Sequence, residues 1–194
     1  MRGKRRRCFY CSDGRGADVE HYAPVSPYWS TTFTWANLLL VCSECNRFKL
    51  NQFPGGLTAP RLLNPAEDEP WRHFYLDLAT GHIAPRFVNG APDRRAATTL
   101  SVIPPLLDEA VAEGRLQTII RLREAVERCL GEEGGPQAST KLLSEVRSDE
   151  YGITTWVTRF EGVAAEPFAA LKATRTCLWR SVCRVDARVE HALA

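Results

Sequence analysis

The 194-residue sequence has no apolar run long enough to cross a bilayer as a helix. Its basic start, MRGKRRRCFYC, is not followed by the apolar segment that a secretory leader needs. A cytoplasmic protein with no membrane partner is therefore expected. There is no internal repeat and no low-complexity tract. There is little net charge: 25 Lys and Arg against 23 Asp and Glu leave +2. Nor is there an even set of cysteines. Seven in a chain without a leader argue against a disulfide framework.

What remains is ordinary in bulk and uneven in detail. With 44% apolar and 25% charged residues, the chain can build a packed core. Its length suits one domain, or a small module with a larger body attached. Residues 1–60 carry eight Lys and Arg against four Asp and Glu, and residues 61–194 carry 17 against 19. A basic N-terminal third suits a phosphate-backbone partner, and equally a solvated basic tail.

Four cysteines form two pairs, Cys8-Phe-Tyr-Cys11 and Cys42-Ser-Glu-Cys45. Each C-x-x-C sits on a tight turn that directs two thiolates at one ion, and two such pairs predict a structural Cys₄ zinc site. The segment between the pairs is longer than a zinc ribbon requires, so a functional insert is expected there. Cys129, Cys177 and Cys183 show no pairing pattern and are expected to be small buried residues.

That insert predicts a strand over 19–23, a Pro-containing loop, and a strand over 36–41 running into Cys42. A short helix over 44–51 follows, halted by Phe-Pro-Gly-Gly. The result is a ββα unit. Further on, HFYLDLATGHIAPRF alternates about an Ala-Thr-Gly turn and predicts a β-hairpin, with His73 and His82 making local hydrogen bonds. RFVNGAPDRRAATTL is expected as a loop. From Pro105 the apolar period is helical, with a break near Gly114. Ser139 or Thr140 is expected to cap the next helix, and two more helices close the chain. Trp156 and Trp179 are expected in the core or at an interface.

The chemistry is concentrated in the ββα unit. Glu20 and His21 are adjacent, so on a strand they point to opposite faces. With the knuckles closed, His21 is expected to face Asn46 across a short cleft. Glu20 and Asn46 would supply oxygen ligands for Mg²⁺ or Mn²⁺, leaving His21 free to take a proton from water. Asn37 would brace the loop between the strands, and Lys49 and Arg47 would reach a phosphate. Such a set suits phosphodiester hydrolysis.

The run from C-x-x-C through Glu-His-x-x-Pro and Trp-x-Asn-Leu to C-x-x-C-Asn-x-x-Lys resembles the HNH (ββα-metal) nucleases in their four-cysteine form. Cys8, Cys11, Glu20, His21, Pro24, Trp35, Asn37, Leu38, Cys42, Cys45, Asn46 and Lys49 carry it. His21, Asn37 and Asn46 take the three positions of the name. Many members have His where Asn46 stands and Asp where Glu20 stands. The likeness covers about the first 55 residues. Asn64, Pro65, Gly81, Ile83 and Pro85 also fit the HNH subunits of Septu-type and retron-associated anti-phage systems. This resemblance implies cleavage of DNA in company with an ATPase partner.

The expected architecture is α+β. A zinc-stabilised HNH unit over residues 1–60 precedes a β-hairpin and a mostly helical partner-docking region over residues 61–194. A rival reading is a non-catalytic module in which zinc knuckles and the basic arm from Lys4 to Arg7 grip nucleic acid. Another is a scaffold subunit.

Overall fold

A computed structural model describes residues 6–191 except Pro27 and Glu133, with side chains described as far as Asp186. Lys4 and Arg5 of the basic arm lie outside the described residues. Among the described residues, seven α-helices and three two-stranded antiparallel sheets form an α+β arrangement. The chain divides into two compact units, residues 1–113 and 114–194.

In the first unit, β1 (Asp18–His21) pairs antiparallel with β2 (Leu38–Val41). The register sets Asp18 against Val41, Glu20 against Leu39, and His21 against Leu38. Alternation along β2 buries Leu39 and Val41 and leaves Leu38 and Leu40 half-buried. The second strand is shorter than its apolar run predicts, because Trp35–Asn37 winds into a 3₁₀ turn. The helix α1 (Ser43–Lys49) begins on Cys42, whose sulfur accepts the Cys45 N–H. It stops at Leu50, where φ is +45°. The Phe-Pro-Gly-Gly brake that follows is sterically required at Gly55, where φ is +90° and a Cβ would meet the Ala59 carbonyl at 2.0 Å.

The expected hairpin is β3 (Phe74–Leu76) with β4 (Ile83–Pro85). Asp77 ties its turn by accepting from the Ala79 N–H and the Thr80 hydroxyl at 2.9 and 2.8 Å. Residues 86–100 are not a loop. They form a small ribbon, β5 (Phe87–Val88) with β6 (Ala91–Pro92), and then α2 (Arg94–Val102). Both signals were in the sequence. Asn89-Gly90 supplies the two positive φ values of a tight hairpin turn, and Asp93 caps α2 by accepting from the Arg95 and Ala96 N–H groups.

Around α2 the Asn-Pro-acidic stretch has a packing role. The Asp68 carboxylate takes both Arg95 guanidinium nitrogens, at 2.8 and 2.6 Å, and the Asn64 N–H at 2.7 Å. Thr99 accepts the Leu63 N–H at 2.9 Å. The Leu62 carbonyl accepts the Tyr22 hydroxyl at 2.6 Å, which joins this layer to the end of β1.

In the second unit, α3 (Glu109–Leu130) runs through Gly114 without a break. Glycine is used there for proximity: a Cβ would lie 2.0 Å from the Tyr151 hydroxyl oxygen. The next helix, α4 (Pro136–Ser148), starts at a proline, earlier than a Ser139 or Thr140 cap would allow. Both hydroxyls instead donate back to carbonyls four residues earlier. After α5 (Ile153–Arg159), the last stretch divides into α6 (Phe168–Thr174) and α7 (Thr176–His191). Arg175 sits at the joint and donates to the carbonyls of Cys129 and Gly134. Leu142, Ile153, Trp156, Leu171 and Trp179 form the core, Cys129 is buried, and Cys177, expected inside, is exposed.

The Asp68–Arg95 fork gives a pH signature. Burial by itself would raise the Asp68 carboxyl, but the bonds from Arg95 and the Asn64 N–H outweigh it and hold the group below its ordinary value. A depressed folded value means that this contribution is complete above the unfolded pKa of about 3.9 and is lost as pH falls through the folded one. Arg95→Met should cost about 1.5–3 kcal/mol in urea unfolding at neutral pH. The gap from wild type should close in acid. A gap that is constant with pH would mean the fork contributes packing alone.

Candidate metal centre

The Cys8–Cys11 turn folds tightly. The Ser12 N–H donates to the Cys8 carbonyl at 3.1 Å, with Ser12 at a φ of +60°. The Cys8 N–H returns to the Gly14 carbonyl and the Gly14 N–H reaches the Cys11 sulfur at 3.4 Å. Gly14 cannot carry a side chain, because a Cβ would lie 2.8 Å from that of Cys42. This close approach seats the first knuckle on the second. The Phe9 N–H donates to Leu40 and the Ala17 N–H to Val41, fastening the turn to β2.

All four sulfurs of Cys8, Cys11, Cys42 and Cys45 are buried and lie within 4.8 Å of one another. The Cys11 and Cys42 sulfurs are 3.9 Å apart. Four ligands about 2.3 Å from a tetrahedral zinc stand about 3.8 Å from each other. Charge argues the same way. Hydrogen bonds from the Cys11 and Cys45 thiols push Cys8 down to about 4. At Cys11 the Cys45 bond pulls down, but the Cys8 bond and burial outweigh it and push the thiol up. Cys45 is pushed up by its bonds with Cys11 and Cys8 and by burial. Without a cation, charge on Cys8 opposes charge on Cys11 and Cys45. The set could hold a zinc ion, which would neutralise the repulsion.

Beside the cluster, β1 shows two faces. Asp18 and Glu20 share the face of Leu39 and Val41 and meet α1. The Asn46 amide donates to the Asp18 carboxylate at 3.1 Å. Asp18 is the residue the sequence reading missed. It stands two positions before Glu20, and the strand period alone would have placed both carboxylates together. Asn46 thus finds Asp18, rather than standing opposite His21 as expected. Three oxygen-bearing groups, on Asp18, Glu20 and Asn46, lie on one side of the hairpin, and such donors suit a hard divalent cation.

The His21 ring turns the other way. Its Nε2 lies 3.1 Å from the Thr32 carbonyl. A carbonyl only accepts, so Nε2 carries the hydrogen and Nδ1 of the neutral ring is left as the acceptor. Asn37 fixes the loop that provides this carbonyl. Its carboxamide oxygen takes the Ala23 N–H at 2.7 Å, while Nδ2 donates to Ala23, to the Thr31 carbonyl and to the Thr31 hydroxyl. The bracing expected of Asn37 is thereby present, one residue away from the group that orients His21.

No family model, curated protein or solved structure matches this chain.

Lys49 corrects an expectation. Its side chain is fully buried, and Nζ donates to Glu20 Oε1 at 2.7 Å and to the His21 carbonyl at 2.8 Å. It is spent on the strand and is not displayed to a phosphate. Helix period explains this: Asn46 and Lys49 share a face, and that face packs on β1. Arg47 lies on the exposed side. Tyr10, between the first two cysteines, is also buried, and burial followed by the Glu20 charge pushes its phenol well up, so it stays neutral.

Two outcomes are expected. Purified protein should carry about one zinc per chain. The metal should leave under a strong chelator, in Cys42→Ser, and as pH falls and the thiolates protonate. Metal analysis with circular dichroism checks this, and an unchanged unfolding profile after metal removal would oppose it. Lys49→Met should lose about 1.5–3 kcal/mol, since it leaves the part-buried Glu20 carboxylate without its charged partner, and Glu20→Gln added to it should recover much of that loss. A double-mutant cycle measures the coupling.

Proposed function

We propose that this chain is a metal-dependent HNH endonuclease, using Mg²⁺ or Mn²⁺, that hydrolyses phosphodiester bonds of DNA. In this reading it is the nuclease effector of a bacterial anti-phage system and acts with an ATPase partner. One observation carries the chemical part. His21, oriented by Thr32 in a loop braced by Asn37, ends β1 directly after Glu20, and the oxygen set of Asp18, Glu20 and Asn46 lies on that strand and the facing helix beside a four-cysteine cluster. The defence setting and the ATPase rest on the sequence resemblance.

Each residue then has a stated task. His21 accepts a proton from water at Nδ1, because Nε2 is committed to the Thr32 carbonyl. Asn37 braces the loop at Thr31, the residue before that carbonyl. Glu20, Asp18 and Asn46 would hold the divalent cation, which when bound supplies charge stabilisation to the phosphate and the leaving oxygen. Lys49 holds Glu20 on the strand. The four thiolates and zinc keep strand and helix at a fixed separation. Arg47, exposed on α1, is the cation placed to meet a phosphate.

The Glu20–Lys49 pair also favours a second reading. An ammonium already neutralises Glu20, as it would in a subunit that grips nucleic acid without cutting it. Plasmid cleavage separates the two. Cutting in Mg²⁺ or Mn²⁺ should vanish in EDTA and fall about 10²–10⁴-fold in His21→Ala of unchanged zinc content. If the protein stays silent even with its ATPase while still binding DNA, the binding module stands.

A further inference from the structure

The loop between β1 and β2 displays three large rings to water. Trp29, Phe33 and Trp35 are 79%, 94% and 72% exposed, whereas Trp71, Trp156 and Trp179 are buried. A folded chain does not ordinarily leave three such rings outside within seven residues, since each forfeits a large burial gain.

The loop is not loose. The Thr31 and Thr32 hydroxyls donate to the carbonyls of Tyr28 and Trp29 at 2.8 and 2.7 Å. Two 3₁₀ turns, Trp29–Thr31 and Trp35–Asn37, set the backbone, and Asn37 ties it to Ala23. Tyr28 is edge-on to Phe53, their ring centroids 5.5 Å apart. The rings are therefore held out by a braced backbone.

We propose that Trp29, Phe33 and Trp35 form a stacking platform for unpaired nucleobases, so that the substrate is a single-stranded or locally unpaired nucleic acid. This deepens the nuclease reading and rests on it. Three observations select this occupant. The large exposed groups of residues 29–35 are all aromatic and alternate with Ser30, Thr31, Thr32 and Thr34, whereas a contiguous aliphatic patch would suit a protein. No acidic or basic side chain occurs between His21 and Glu44, so nothing in the loop repels a phosphate. Finally, Thr32, which orients His21, lies between Trp29 and Phe33. A strand stacked on these rings would run along the loop whose Thr32 carbonyl orients His21. In a duplex the base faces are occupied by one another and offer nothing to a ring.

The test is fluorescence anisotropy with full-length zinc-loaded protein and fluorescein-labelled oligothymidylate. EDTA is kept low enough to leave the zinc in place, so no cutting intervenes. Trp29→Ala should weaken binding about tenfold, and Trp29→Ala with Trp35→Ala about 100-fold. Trp35→Phe, which keeps a ring, should stay near wild type, as should Phe87→Ala, an exposed ring on the β5–β6 ribbon. The oligonucleotide should quench tryptophan emission, and a fully paired duplex should not. Wild-type affinity in the double variant, or equal quenching by duplex, overturns the platform and hands the surface to a protein partner. Cleavage is scored separately: ring-dependent binding without metal-dependent cutting would remove the nuclease reading and keep the platform. Cutting that survives loss of the rings would do the reverse.

Discussion

Four buried sulfur atoms closing on one point are the constraint on which the first unit depends. The hairpin beneath them has two strands of four residues each, too short to be stable alone. The helix attached to it is seven residues long, less than a free helix needs to persist. Neither element buries enough apolar surface to offset the entropy of ordering it. Crosslinking the first turn to the start of the helix through a shared cation would supply what the small core does not. The missing Cβ at Gly14 belongs to the same device, since the knuckles could not meet with a side chain between them.

From this anchor, order passes to the polar groups by two routes. One runs through the helix, where Asn46 and Lys49 on a single face reach Asp18 and Glu20 on the strand. Lys49 is buried and Glu20 part-buried, so the benefit of the pair depends on completeness. Nζ also donates to the His21 carbonyl, which keeps the ammonium hydrogen-bonded in a site that excludes water. The other route runs through the loop, from Asn37 to Thr31 and from Thr32 to His21. The two routes meet at His21, whose backbone serves the first and whose ring serves the second.

The second unit shows how little a helical pattern says about helix ends. Its apolar period foretold helices correctly, but their limits follow from contacts between distant residues. Position 114 is glycine because Tyr151 fills the space a side chain would take, and Arg175, where the last stretch divides, reaches one carbonyl near the end of α3 and one in the α3–α4 connection. Pro136 moves the start of α4 forward of its hydroxyls. In the first unit, Asn89-Gly90 and Asp93 were local signals for the small ribbon and for α2, and they were legible to anyone weighing turn chemistry above polarity.

The sequence by itself determined the four-cysteine cluster, the strand–strand–helix order, the later hairpin and the opposition of Glu20 to His21. Each follows from spacing or from a period of two, which local geometry preserves. Tertiary structure alone decided the partners. It placed Lys49 inside and on Glu20, brought Asn46 to Asp18, chose which His21 nitrogen carries its hydrogen, and left Trp29, Phe33 and Trp35 in water while burying Trp71. A lysine in sequence is a surface cation by default. Only the packing of α1 against β1 converts it into a buried tie, because burial and pairing are properties of facing surfaces that no single segment contains.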